Sequence, residues 1–121
     1  MKQIRLHEGE LNVMELLWSN QQLAARDIAK IIHEYIGWEK NTTYTVIKRL
    51  INKGAIARED PGFLCKALIS KQYVQKTETD YLIQKFYGGS ISEFLSVYLR
   101  NQELSTIDLM EMERIVAELK R

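Results

Sequence analysis

Apolar positions along this chain recur at three- and four-residue intervals, and each run ends at a polar or glycine-containing break. In residues 8–19, Leu11, Met14 and Trp18 fall at i, i+3 and i+7, and Val13, Leu16 and Leu17 widen the same face. That spacing predicts a helix, and Asn20-Gln21-Gln22 closes it. A second helix is expected from about Ala25 to Tyr35, where Ile28, Ile31, Ile32 and Tyr35 share a stripe and Gly37 supplies the stop. The third runs through Trp38 to Gly54, with Val46, Ile47, Leu50 and Ile51 on its apolar side. After it the period changes. Ala55 to Arg58 and Phe63 to Ile69 read as two short strands joined by Glu59-Asp60-Pro61-Gly62, which is turn chemistry. Both faces of the second strand are largely apolar, so it is expected to pack beneath the first or third helix.

The remainder reads as helices again. Ser70 is a good N-cap for a helix over 71–87, and Gly88-Gly89 breaks it. Ile91, Phe94, Leu95, Tyr98 and Leu99 stripe a helix over about 90–100. Ser105 to Asp108 fits a capping box, and Leu109, Met112, Val116 and Leu119 form a seam on the helix that follows. That seam suits either a partner chain or the preceding two helices. The fold class expected is mainly α with a small β-hairpin. A winged helix-turn-helix domain over 1–69 precedes a helical region over 70–121.

The third helix has a second face. Asn41, Thr45, Lys48 and Asn52 lie opposite its apolar stripe, flanked by Tyr44 and Arg49. From Lys40 to Arg58 there are five basic residues and no acidic one. Lysine and arginine neutralise phosphates, while Asn, Thr and Tyr can meet base edges or phosphate oxygens in the major groove. A hairpin directly after such a helix reads as the wing of a winged helix. Net charge adds little, because the chain of 121 residues carries only +1 overall. The localised run is the better electrostatic clue. At 45% hydrophobic the chain can build a packed core. Three helices of about 50 residues make a thin core on their own, and a small DNA-binding module gains from two-fold symmetry. Homodimerisation through 70–121 is therefore expected.

Other chemistries find little support. The single cysteine, Cys65, is expected in the core and allows no intramolecular disulfide. His7 and His33 stand on different helices without ligand spacing, so no metal or cofactor is expected. Glu8, Glu10 and Glu15 read as a solvated face of the first helix, and Trp18 and Tyr81 as core aromatics. No nucleophile–base pair or paired carboxylates suggest an enzyme. No apolar run approaches a membrane span and the N-terminus lacks a signal-peptide pattern, so a reducing cytoplasm is the expected location. A winged-helix protein-interaction module without DNA binding stays open as the alternative.

The segments LHEGELNVMELLW (6–18), WEKNTTYTVIKRLINKGAI (38–56), KFYGGS (85–90) and NQELS (101–105) carry a further clue. On them the chain is similar to the BlaI/MecI/CopY family of bacterial repressors over nearly its whole length. The resemblance implies a winged-helix domain and a helical dimerisation region. It implies repression as a homodimer bound to a palindromic double-stranded DNA operator. Thr42 and Thr45 match the family's Thr-x-x-Thr element and take a DNA-contact role. Arg49 and Trp38 match further contact positions. Tyr44 replaces a frequent Arg or Gln, so the preferred sequence should differ. Glu39-Lys40-Asn41 stands where penicillinase-type members have Ser-Pro-Lys. The DNA-binding set expected is Trp38, Lys40, Asn41, Thr42, Tyr44, Thr45, Lys48 and Arg49. The dimerisation set joins Tyr81 and Phe86 to Ile91, Phe94, Leu95 and Tyr98. Leu109, Met112, Val116 and Leu119 complete it. Copper-responsive members carry a cysteine-rich tail, which MEMERIVAELKR lacks. Antibiotic-responsive members are cleaved at an Asn-Phe bond that aligns with Val97-Tyr98. A sensor protease is thus an open partner, with a different cleavage specificity expected.

Overall fold

The computed structural model describes residues 3–121. The elements run α1 (Glu8–Ser19), β1 (Leu23–Ala24), α2 (Ala25–Tyr35), α3 (Lys40–Lys53), β2 (Ile56–Glu59), β3 (Leu64–Ala67), α4 (Lys71–Tyr87), α5 (Ile91–Arg100) and α6 (Thr106–Leu119). They group into two compact units, one reaching Thr79 and one over Asp80–Arg121. The start of α4, from Lys71 to Thr79, belongs to the first unit. There Tyr73 Oη accepts the Ile4 amide at 3.1 Å, and Arg5 Nε pairs with Glu78 at 2.7 Å.

The first unit is built on the three stripes legible in the sequence. Val13, Met14 and Leu17 of α1 meet Ile28 and Ile32 of α2 and Val46, Ile47 and Leu50 of α3 in one buried cluster. Each such side chain contributes about 1.5–3 kcal/mol when fully withdrawn from water. Tyr35, expected on the α2 stripe, stands outside this core at 83% exposure. It is the last residue of α2. Thr43 takes a core place that its polar side chain did not suggest, fully buried on the inner face of α3.

Among the described residues three strands form, one more than the hairpin expected from the sequence. β3 is central in the order β1-β3-β2, all antiparallel, with Cys65 opposite both Leu23 and Arg58. β1 is only two residues long, and pairing with β3 alone defines it. α1 packs over β3, whose Cys65 is fully buried. The wing turn is fastened by Asp60, whose Oδ1 accepts from the Phe63 amide at 3.3 Å and from Arg58 Nε at 3.2 Å. Phe63 itself adopts a left-handed backbone, with φ 49°. Its ring takes the Arg58 guanidinium at 3.6 Å and the edge of Tyr44 at 5.7 Å. These helices, the antiparallel sheet and the hairpin after α3 make a winged helix.

The second unit is helical. Ser90 caps α5 by accepting the Glu93 amide, and Ser105 caps α6 by accepting the Asp108 amide at 3.0 Å. Tyr87, Phe94 and Tyr98 form a run of ring contacts. No residue of α5 or α6 is buried within the chain. Tyr81, expected in the core, is 44% exposed, with Lys85 Nζ 5.8 Å from its ring centre.

Candidate nucleic-acid interface

α3 owes its start and stop to local chemistry. Glu39 is its N-cap, with an extended backbone and no side-chain cap bond. Its first turn has no acidic residue. Gly54 ends it in the left-handed region, with φ 84°, a geometry that costs glycine least. Between these ends, the pitch of the helix sorts its side chains. Val46, Ile47 and Leu50 are buried, while Asn41, Thr42, Thr45, Lys48, Arg49 and Asn52 are exposed. The exposed side has amide, hydroxyl and cationic groups and no carboxylate.

The structure refines what these groups offer. Thr45 Oγ1 donates to the Asn41 carbonyl at 2.9 Å, which leaves its oxygen free to act as an acceptor. Tyr44 is half-buried, held edge-on against Phe63 of the wing, with the Lys40 ammonium 5.7 Å from its ring centre. α3 and the wing are thereby fixed to each other through an aromatic pair. Trp38 precedes the helix. It is half-buried, its carbonyl lies 3.0 Å from His33 Nδ1, and its ring rests close to Gly9 of α1. That packing anchors the segment leading into α3.

Two members of the acid-free run already face carboxylates. Lys53 turns inward, donating to Glu10 Oε1 at 2.6 Å and to the Arg5 carbonyl at 2.9 Å. Glu10, read as part of a solvated face, is 1% exposed and also accepts the His7 amide at 2.7 Å. Helical phase alone did not separate it from Glu8 and Glu15. What does so is a long-range ion pair between the start of α1 and the end of α3. Arg58 is the second, paired with Asp60 at 3.2 Å. Lys40, Lys48 and Arg49 are therefore the cations that α3 leaves facing outward.

Cys65 is held as a thiol: burial pushes its pKa up to about 11, against a smaller lowering by Arg58. Among the described residues no cluster of three or more His, Cys, Asp or Glu side chains could hold a metal ion. None of the described helices is long and apolar enough to cross a membrane. Val97 and Tyr98 sit in the body of α5, and the Val97 carbonyl accepts the Asn101 side-chain amide at 2.9 Å.

The fold and this exposed helix define a winged-helix protein whose third helix presents a polar, cationic face. The penicillinase repressor family model matches residues 6–118, and the chain belongs to that family. It is 26% identical to the penicillinase repressor of Bacillus licheniformis, over 99% of this chain and 96% of that one. It is 24% identical to the methicillin resistance regulatory protein MecI of Mammaliicoccus sciuri, over 95% of each. The solution structure of the DNA-binding domain of the repressor BlaI superposes with a TM-score of 0.55 at 26% identity. That match covers 60% of this chain and 90% of the BlaI domain.

Proposed function

We propose that this chain is a sequence-specific transcriptional repressor that binds a palindromic DNA operator as a homodimer, in the cytoplasm. The observation that carries the reading is the outer face of α3, exposed and without a carboxylate, on a chain of the penicillinase repressor family. Thr42, Tyr44 and Thr45 lie in the N-terminal half of α3, where recognition helices meet bases. Lys48 and Arg49 follow a turn later and suit phosphates, with Lys40, Asn41 and Trp38 flanking the start of the helix. The dimer rests on the second unit. Phe86 is 67% exposed, Ile91 63% and Leu119 80%, and apolar surface of that kind marks an interface. Two recognition helices tied by such a dimer call for half-sites centred about one helical turn apart, or a multiple of it.

The test is a set of titrations on operator and scrambled duplexes at several salt concentrations. Tyr44→Ala or Thr45→Ala should cost about 1–3 kcal/mol on the operator and relax base preference at one position per half-site. Lys48→Ala should weaken both duplexes alike and lower the salt slope by about 1 for each phosphate it no longer neutralises. Equal losses on both duplexes for the Tyr44 and Thr45 variants would remove the base-reading role. No loss for any of the three would move the DNA surface off α3.

A further inference from the structure

One residue of the wing is held in a backbone conformation that its type rarely takes. Phe63 has φ 49°, in the left-handed region, where a bulky side chain is uncommon and persists only if its surroundings fix it. Two hydrogen bonds do so here. The Phe63 amide donates to Asp60 Oδ1 at 3.3 Å, and the Phe63 carbonyl accepts the Ala25 amide, at the start of α2, at 2.9 Å. The side chain is fixed as well. The Arg58 guanidinium lies 3.6 Å from the ring centre, and Arg58 Nε donates to the same Asp60 Oδ1 at 3.2 Å. The ring in turn meets that of Tyr44 on α3, with 5.7 Å between centres and 77° between planes. Tyr44 is half-buried, between the buried Thr43 and the exposed Thr45. A glycine at 63 would take this backbone without steric cost, so what the phenylalanine adds is its ring.

We propose that Phe63 is a positioning residue for base recognition: its ring holds the phenol of Tyr44 in one rotamer and so decides which base edge the Tyr44 hydroxyl meets. The inference rests on the reading of Tyr44 as a base contact and adds to it a residue outside α3. A phenolic hydroxyl both donates and accepts, so its chemistry alone favours no base. Its selectivity comes from where it is placed. Two torsions separate that hydroxyl from the helix backbone, and a ring contact restrains both of them. Lys40, 5.7 Å from the Tyr44 ring centre, sits on the same helix and on a flexible stem. Phe63 reaches the ring from another element, on a backbone pinned at both its amide and its carbonyl.

The experiment uses the full-length protein, a duplex that the wild type selects from a randomised pool, and the single-base variants of that duplex. Wild type, Tyr44→Ala, Phe63→Gly, Phe63→Leu, Phe63→Tyr and the double variant Phe63→Gly/Tyr44→Ala are titrated across a salt series, with thermal melting alongside. Phe63→Gly suits the left-handed backbone and Phe63→Leu keeps apolar bulk, so the ring is removed in two ways that load the fold differently. Tyr44→Ala should lower the preference for the favoured base at one position of each half-site by about tenfold. Phe63→Gly and Phe63→Leu should lower it at the same position by about three- to tenfold, and Phe63→Tyr should keep it. In the double variant, loss of the ring should add nothing at that position beyond Tyr44→Ala, as for residues that act through one contact. The salt slope should hold its wild-type value throughout, because no phosphate loses its cation. Full preference in both Phe63→Gly and Phe63→Leu, beside a depleted Tyr44→Ala, would overturn the inference and leave Tyr44 as a base contact. So would a fall in the salt slope, or a loss at a different position from that of Tyr44→Ala, since either would make Phe63 part of a separate DNA contact. An unchanged preference in Tyr44→Ala would remove the base-reading role of Tyr44, and this inference with it. A pool from which the wild type selects no sequence would remove sequence-specific binding itself.

Discussion

Glu10 and Thr43 show what a side chain's type hides until its neighbours are known. Glu10 is a carboxylate at 1% exposure, stabilised by Lys53 and the His7 amide on one oxygen, while its Oε2 has no partner among the described residues. Glu10→Gln keeps the shape and removes the charge. It should cost about 1.5–3 kcal/mol, the range for a charge-assisted bond, read from urea unfolding at constant m-value. Thr43 is the opposite case. Its Oγ1 is buried without a partner among the described residues, so Thr43→Val, of the same shape, should stabilise by about 1 kcal/mol in the same assay. No gain there would mean that the hydroxyl is satisfied in solution. Cys65 is a third residue with a definite expectation. Thiolate is the reactive form, and a folded pKa of about 11 leaves almost none at neutral pH. Folded protein should resist alkylation at pH 8 and react only after denaturation. The linkage has a clear sign. Below the ordinary thiol value of 9.0 both states hold the proton; between 9.0 and about 11 only the unfolded chain releases it. Stability should therefore fall as pH rises through that window, and more steeply than in Cys65→Ala.

At the scale of elements, helices whose ends carry recognisable chemistry began and stopped where their residues said. Gly54 ends α3 with φ 84°, and Ser105 opens α6 with a reciprocal bond to Asp108. Ser105→Ala should cost about 1 kcal/mol of unfolding free energy, and it should weaken any assembly that uses α6. Circular dichroism across a denaturant series checks the first part, and dilution of the protein during sedimentation the second. β1 had no such signal. Two residues hold no alternation, and only Cys65 and Leu64 across the ladder make Leu23 and Ala24 a strand. α2 was legible as a helix, but the neighbours of its outward face were not. Arg26 and Lys30 look like ordinary solvated charges until the first turn of α3 is set beside them.

For the whole molecule, the central expectation is the dimer. α4, α5 and α6 expose apolar side chains that a single chain leaves uncovered, including Tyr98 at 50% and Val116 at 51%. The groove lined by Leu99, Leu109, Met112 and Val116 has a volume of about 460 Å³ and belongs to the same unit. Val116→Glu would place a charge on that surface and should yield a folded monomer in sedimentation at micromolar concentration. Operator affinity should fall with it, because two tethered half-site contacts become independent. A Val116→Glu protein that sediments as a dimer would move the interface away from α6.

Local pattern was enough for the helices, the wing turn and the polar side of α3, because each is written in residues a few positions apart. Periodicity, caps and turn residues act within one element, and they need no partner to be read. Tertiary structure alone decided which charges point outward. Lys53 and Lys48 are five residues apart on one helix, yet Lys53 is spent on Glu10 and Lys48 is exposed. The same holds for Arg58, drawn to Asp60, and for Arg26 and Lys30, brought to the mouth of α3. The physical reason is that a cation's availability depends on the nearest carboxylate in space, and the fold sets that distance across 43 residues of sequence in the case of Glu10 and Lys53.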